Sequence, residues 1–256
     1  MSNLSRPEAR FAVDLVKQCC DLAVVVQSDT VGSFLEKKDR SPVTLADFSV
    51  QALVSRRLSE AFPEVPLMAE ESTSQLKGPE GERFLERVAG YVRRFEPSAS
   101  SESVRRWIDR SQWRGDKSFW VLDPIDGTKG FLRGAQYVVA LALVKDGEVE
   151  IAVLGCPRLD LKPATAPGSI DTDPSEVGSL LFAVRGEGTW LASLDGEALV
   201  QLRVSDCEDP RQTVALRSFE SGHTDESWFE RVVNHLEIES DPILLDSQAK
   251  YAVLAG

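Results

Sequence analysis

Residues Trp120 to Gly134 read W-V-L-D-P-I-D-G-T-K-G-F-L-R-G, an apolar run that delivers two carboxylates and a hydroxyl into one tight turn. Phe119 to Leu122 predict a buried strand. Pro124 and Gly127 stop it and fold the chain back, so that Asp123, Asp126 and Thr128 crowd at its end. Carboxylates packed that closely repel one another, and a hard divalent cation such as Mg2+ relieves the repulsion with oxygen ligands alone. Turn chemistry by itself also accounts for D-P-x-D-G, so the segment taken alone supports either a metal site or an Asp-rich turn.

The elements that must hold this turn follow from periodicity and caps. Ser5 and Glu8 have capping-box spacing, and Phe11, Leu15, Cys19, Leu22 and Val26 recur at helical intervals. Thr44 opens a second helix whose apolar positions Val50, Leu53, Val54, Leu58 and Ala61 run to a stop at Pro63. Asp47, three residues after Thr44, is an acid in that helix's first turn, where the macrodipole favours it. Val65 to Ala69 predict a strand ending at Glu70 and Glu71, and residues 72–118 read as a polar surface insertion with a helix near Phe84 to Phe95 and a Ser-rich loop at Ser98 to Ser103. Tyr137 to Lys145 and Glu148 to Gly155 spell a hairpin across Asp146-Gly147. A loop follows at 157–178, then strands at 179–185, 189–193, 199–204 and 213–216. A helix at 226–236, a strand at 243–245 and a helix from about Ser247 complete the chain in βα order.

The 256 residues are 42% hydrophobic and 27% charged, an ordinary composition that supplies a packed core. With 29 basic against 41 acidic residues the formal charge is -12, which argues against non-specific binding to nucleic acid or anionic membranes. An anionic substrate must then be met by local positive charge. Val138 to Val144, the longest apolar run, falls far short of the ~18 residues of a membrane span. Glu8 and Asp14 count against an acid-poor transit peptide, giving a cytoplasmic expectation. Cys19, Cys20, Cys156 and Cys207 lack C-x-x-C spacing and are expected to be free, mostly buried thiols.

The D-P-I-D-G-T-K-G-F-L-R-G run, together with S-P-V-T-L-A-D from Ser41, E-E-S from Glu70 and L-D-S-Q-A-K-Y from Leu245, resembles the lithium-sensitive, magnesium-dependent phosphomonoesterases related to inositol monophosphatase. Lys129-Gly130-Phe131, where inositol monophosphatases carry Asn-Phe a little after the Thr, narrows the resemblance to the 3′(2′),5′-bisphosphate nucleotidase branch. That resemblance implies a layered α+β sandwich (α/β/α/β/α), with residues 1–155 bearing the metals and an incomplete α/β part, 156–256, closing over the substrate. It implies Mg2+ held by Glu70, Asp123, Asp126 and the Ile125 carbonyl, with Asp123 bridging two ions. Asp47 and Thr128 would activate and orient the attacking water, and Thr128, His223, Ser247 and Lys250 would grip the substrate.

The implied reaction removes the 3′-phosphate of adenosine 3′,5′-bisphosphate (PAP) to give AMP, or that of its sulfated relative PAPS to give APS. The partner is a small nucleotide bisphosphate, with no nucleic acid or membrane, and a complete chain would be a monomer. The nearest neighbouring activity is that of inositol polyphosphate 1-phosphatase. A second class of reading is a non-catalytic relative that acts by binding. It is favoured by the absence of any Trp-Asp pair, since the resembled branch completes its second metal site with W-D-x-A-A-G. The chain stops at Gly256 within its last helix, so the resemblance implies a C-terminally shortened member, impaired in turnover, with apolar surface uncovered at its end.

Overall fold

The computed structural model describes residues 6–30, 35–36, 42–110, 113, 115–162, 174–196, 198–219 and 225–255. The cap expected at Ser5 lies outside them. Helix α1, Pro7–Thr30, begins with Pro at its first position, where no backbone donor is needed. Strands β1, Leu35–Glu36, and β2, Pro42–Val43, pair antiparallel just ahead of α2, Leu45–Ala61. Thr44 is the N-cap of α2, as its sequence predicts. Almost the whole of α2 is buried, from Leu45 to Ser55, so this is a core helix and not an amphipathic surface one.

A seven-stranded sheet organises the molecule. Its order is β3 (Leu67–Ala69), β4 (Ser118–Asp126), β5 (Val138–Lys145), β6 (Glu148–Cys156), β7 (Ser179–Val184), β8 (Gly188–Ser193) and β9 (Val200–Leu202). Only β3–β4 is parallel and the remaining pairs are antiparallel. The β5–β6 hairpin turns at Asp146 and Gly147, both in the left-handed region with φ of 51° and 83°.

The two-residue alternation of β5 sorts its side chains between two cores. Val139, Leu141 and Leu143 join α1 and α2 in the larger cluster, while Val138 joins Cys156, Leu159, Leu181 and Leu245 in the smaller one. The smaller cluster is covered by α7, Ala249–Ala255, through Ala249 and Ala252. Helices thus cover both faces of a mixed sheet, in agreement with the layered α+β class. Beyond the sheet, β10 (Leu216–Arg217) and β11 (Ile243–Leu244) pair parallel around α6, Glu226–His235.

Two sequence expectations are corrected. Residues 72–118 are not a superficial insertion. They hold α3 (Gly78–Val92) and α4 (Ser101–Asp109), which bury Leu85, Val88, Val92, Val104 and Ile108 completely against the main core. The serines read as loop are a cap: Ser100 and Ser103 form a reciprocal capping box at the start of α4. The second correction concerns β4, which does not stop at Leu122 but continues through Pro124 to Asp126. Its pairing with β5 shifts register between Asp123 and Asp126, so Pro124 falls where the ladder asks it for no donor.

All four cysteines are free, three of them buried. Burial pushes the Cys156 thiol up to about 12 and that of Cys20 well above the ordinary range, which makes them inert packing groups. Gly155 of β6 lies against one of them. A Cβ there would sit 2.3 Å from Cys20 Sγ and 2.7 Å from Val16 Cγ1. Gly155→Ala is therefore expected to wedge α1 off the sheet and cost about 1–3 kcal/mol, read as a lower urea midpoint. An unchanged midpoint would mean that α1 yields freely there.

Candidate active site

The end of β4 gathers the chemistry. The parallel register pairs Ala69 with Leu122, so the next residues along, Glu70 and Asp123, leave neighbouring strand ends side by side. Glu70 is exposed and Asp123 half-buried. The register shift turns the chain between Asp123 and Asp126, and Gly127 then takes φ 88° to cap α5, Thr128–Leu132. The Thr128 hydroxyl donates to the Ile125 carbonyl (3.1 Å), closing the turn on itself.

Asp126 faces the far end of the chain. Its carboxylate accepts the backbone N–H of Gln248, a residue 122 positions away. Burial raises its pKa above the ordinary carboxylate range, opposed by that N–H and by the Lys250 charge, and reinforced by Asp246. Gly127 allows this approach, because a Cβ on it would lie 2.8 Å from Cβ of Ser247. Ser247 itself adopts a left-handed φ of 63°. Lys250 Nζ donates to Ser218 Oγ (3.2 Å) and to the Leu245 carbonyl (3.1 Å). The structure thus brings Thr128, Asp126, Ser247 and Lys250 to one place, whereas His223 lies outside the described residues.

Asp47 is 4% exposed at the start of α2, where its Oδ2 accepts from both the backbone N–H and the hydroxyl of Thr44, each at 2.7 Å. The capping reading of Asp47 is therefore real. Its place in the fold also suits chemistry, since α5 packs on β2, the pair of residues just before Thr44.

Several positioning groups escaped the sequence reading. Gln51, fully buried on α2, accepts from the Glu71 N–H (2.8 Å) and donates to the Glu71 carbonyl (2.7 Å) and the Ile108 carbonyl (3.3 Å). It clamps the peptide that follows Glu70. On the other side, Gln27 donates to the Phe131 carbonyl (2.8 Å), Arg158 donates to Gln27 Oε1 (2.8 and 2.9 Å), and Gln136 donates to the Arg158 carbonyl (2.7 Å). This chain braces α5 from behind. Sequence gave no signal for either device, because a lone Gln has no spacing pattern.

The donor set at the β4 end is oxygen only, which suits a hard divalent cation. Among the described residues no three His, Cys, Asp or Glu side chains stand close enough together to hold an ion as they are.

Similarity to known proteins agrees with this geometry. Residues 5–256 match the model of the inositol monophosphatase family. The chain belongs to that family. It is 36% identical over 96% of its length to 3′(2′),5′-bisphosphate nucleotidase 1 of Arabidopsis thaliana, of which it spans 73%. An inositol monophosphatase from Thermotoga maritima superposes with a TM-score of 0.61 at 19% identity, covering 98% of this chain and 72% of the other. Staphylococcal inositol monophosphatase-1, in an inhibitory complex soaked in LiCl, gives a TM-score of 0.57 at 16% identity over 95% of this family member and 68% of that protein. The family is metal-dependent, and its fold is the one seen here.

The Gln51 clamp is the most exposed to test. Gln51→Ala leaves the Glu71 N–H and carbonyl buried without their partner, an expected loss of about 1–3 kcal/mol in urea denaturation. Gln51→Glu, which keeps an acceptor for the Glu71 N–H but sets a buried carboxylate against the Glu71 and Ile108 carbonyls, should cost at least as much. Equal stability of all three proteins would show that the clamp holds nothing.

Proposed function

We propose that the chain is a Mg2+-dependent 3′(2′),5′-bisphosphate nucleotidase that removes the 3′-phosphate of PAP to give AMP and, on the same grip, that of PAPS to give APS. The observation that carries the reading is the meeting of the Asp123–Thr128 turn with the Ser247–Lys250 segment across Gly127. Its support from relatives is the nucleotidase name of the Arabidopsis protein, 36% identical to this chain.

In this reading Glu70, Asp123, Asp126 and the Ile125 carbonyl hold the Mg2+. The bound cation would polarise the phosphoryl oxygens and lower the pKa of the attacking water. Asp47 accepts the water's proton, its carboxylate already held in one orientation by Thr44, and Thr128 orients the water from the first turn of α5. General-base help of this kind contributes ~10²–10⁴-fold. Ser247, Lys250 and His223 grip the nucleotide. Lys250 supplies the local positive charge that a phosphate needs in a chain of net charge -12. Residues 1–155 would then carry the chemistry and 156–256 the closure over substrate. No described helix is long and apolar enough to cross a membrane.

Asp123→Asn keeps the turn and removes a carboxylate that would hold the cation. Phosphate release from PAP with Mg2+ is expected to fall by at least about a hundredfold, with the melting temperature nearly unchanged. Turnover near that of the parent protein would reject the metal assignment. Substrate choice is a separate matter. The kcat/KM for PAP should exceed that for inositol 1-phosphate by about tenfold or more, as expected if Ser247 and Lys250 serve a nucleotide; equal values would favour an inositol phosphatase.

A further inference from the structure

Glu70 lies between two anchored stretches of backbone. Ala69 before it is paired with Leu122 across the parallel β3–β4 ladder. Three residues after it, the buried Thr73 opens a single 3-10 turn, Thr73–Gln75. Asp109 takes hold of Thr73 with both carboxylate oxygens: Oδ1 accepts the backbone N–H (2.9 Å) and Oδ2 accepts the hydroxyl (2.5 Å), across 36 residues. Arg105 Nη1 donates to the same hydroxyl oxygen at 3.5 Å, which leaves the hydroxyl proton to Asp109.

Helix α4 has no local use for this acid. Asp109 is its last residue, where the macrodipole disfavours a negative charge. The helix is also docked without it. Val104 and Ile108 are fully buried, and α2 takes carbonyls of the last turn, with Ser55 Oγ donating to Trp107 (2.6 Å) and Gln51 to Ile108 (3.3 Å). The end of α4 is thus a fixed bracket. What Asp109 adds to it is a grip on the segment that leaves Glu70, next to the Glu71 peptide that Gln51 already holds. A ligand whose backbone is fixed in advance loses less conformational freedom when an ion binds, and the groups that fix it govern affinity without touching the ion.

We propose that Asp109 is a positioning residue for Glu70, presetting this strand end for a divalent cation through Thr73. The inference rests on the reading of Glu70 as a Mg2+ ligand, and its failure can be told apart from the failure of that reading. In calorimetric titration of the full chain with Mg2+ alone, Asp109→Ala is expected to weaken binding by about tenfold or more, as loss of a group behind a ligand commonly does. Raised Mg2+ should then restore PAP hydrolysis, which a general loss of folding would not allow. Asp109→Asn keeps the grip, its carbonyl accepting the Thr73 N–H and its amide donating to the hydroxyl oxygen, so its Mg2+ affinity should stay within about twofold of the parent. Thr73→Val retains the N–H and loses the hydroxyl, and should fall between the two.

Mg2+ affinity that drops in Glu70→Gln but not in Asp109→Ala or Thr73→Val overturns the positioning role and leaves the metal reading standing. A loss in Asp109→Asn equal to that in Asp109→Ala also overturns it, because the charge and not the grip would then matter. A parent protein that binds no Mg2+, or binds it regardless of Glu70→Gln, rejects the ligand reading and the inference together. If Asp109→Ala does not fold, Thr73→Val decides: an affinity equal to the parent's overturns the role, and a loss that Glu70→Gln shares supports it.

Discussion

The carboxylate of Asp126 accepts a backbone N–H from Gln248, and that bond ties the candidate site's two halves together. It joins the end of a central strand to a segment 122 residues later, and it places Ser247 and Lys250 over the turn that begins at Asp123. Everything upstream serves that approach. The register shift in β4 falls between Asp123 and Asp126, Gly127 leaves room for Ser247, and the left-handed Ser247 backbone leads into α7. Burial then makes the carboxylate a costly charge, which a cation or a positive side chain relieves.

What could be read in the sequence was local. Thr44 and Asp47 are three residues apart, and the capping box that their spacing predicts is present with both hydrogen bonds. The β5–β6 hairpin was legible from Asp146-Gly147 because a two-residue turn specifies its own register. Local signals misled where one residue type serves two purposes. The serines near 100 look like loop and are a helix cap, and Pro124 looks like a strand stop yet sits at an irregularity inside the strand. The polar balance of 72–118 hid α4 and the burial of α3, the helix expected near Phe84 to Phe95, whose apolar faces complete the core.

The rest of the site was not legible because it is made of long-range pairs without a pattern. Gln51 meets Glu71 20 residues on, Arg158 meets Gln27 131 residues back, and Arg133 meets Asp246 across 113. A single Gln or Arg has the same appearance in a sequence whether it braces an active site or faces water. Only the sheet order brings such partners together. The residues proposed to hold the metal differ in this respect, since Asp123, Ile125 and Asp126 lie within one turn and announce themselves by crowding.

The close contact between Gly127 and Ser247 carries a consequence for how this protein can diverge. With 2.8 Å between Ser247 Cβ and the place a Cβ at 127 would occupy, the two positions do not vary independently. Any side chain at 127 must also accept a φ of 88°, and any larger residue at 247 must accept a φ of 63°. Change at the two positions is therefore coupled: a side chain at 127 is barred while Ser247 keeps its Cβ, whereas glycine at 247 would relieve both the contact and the positive φ.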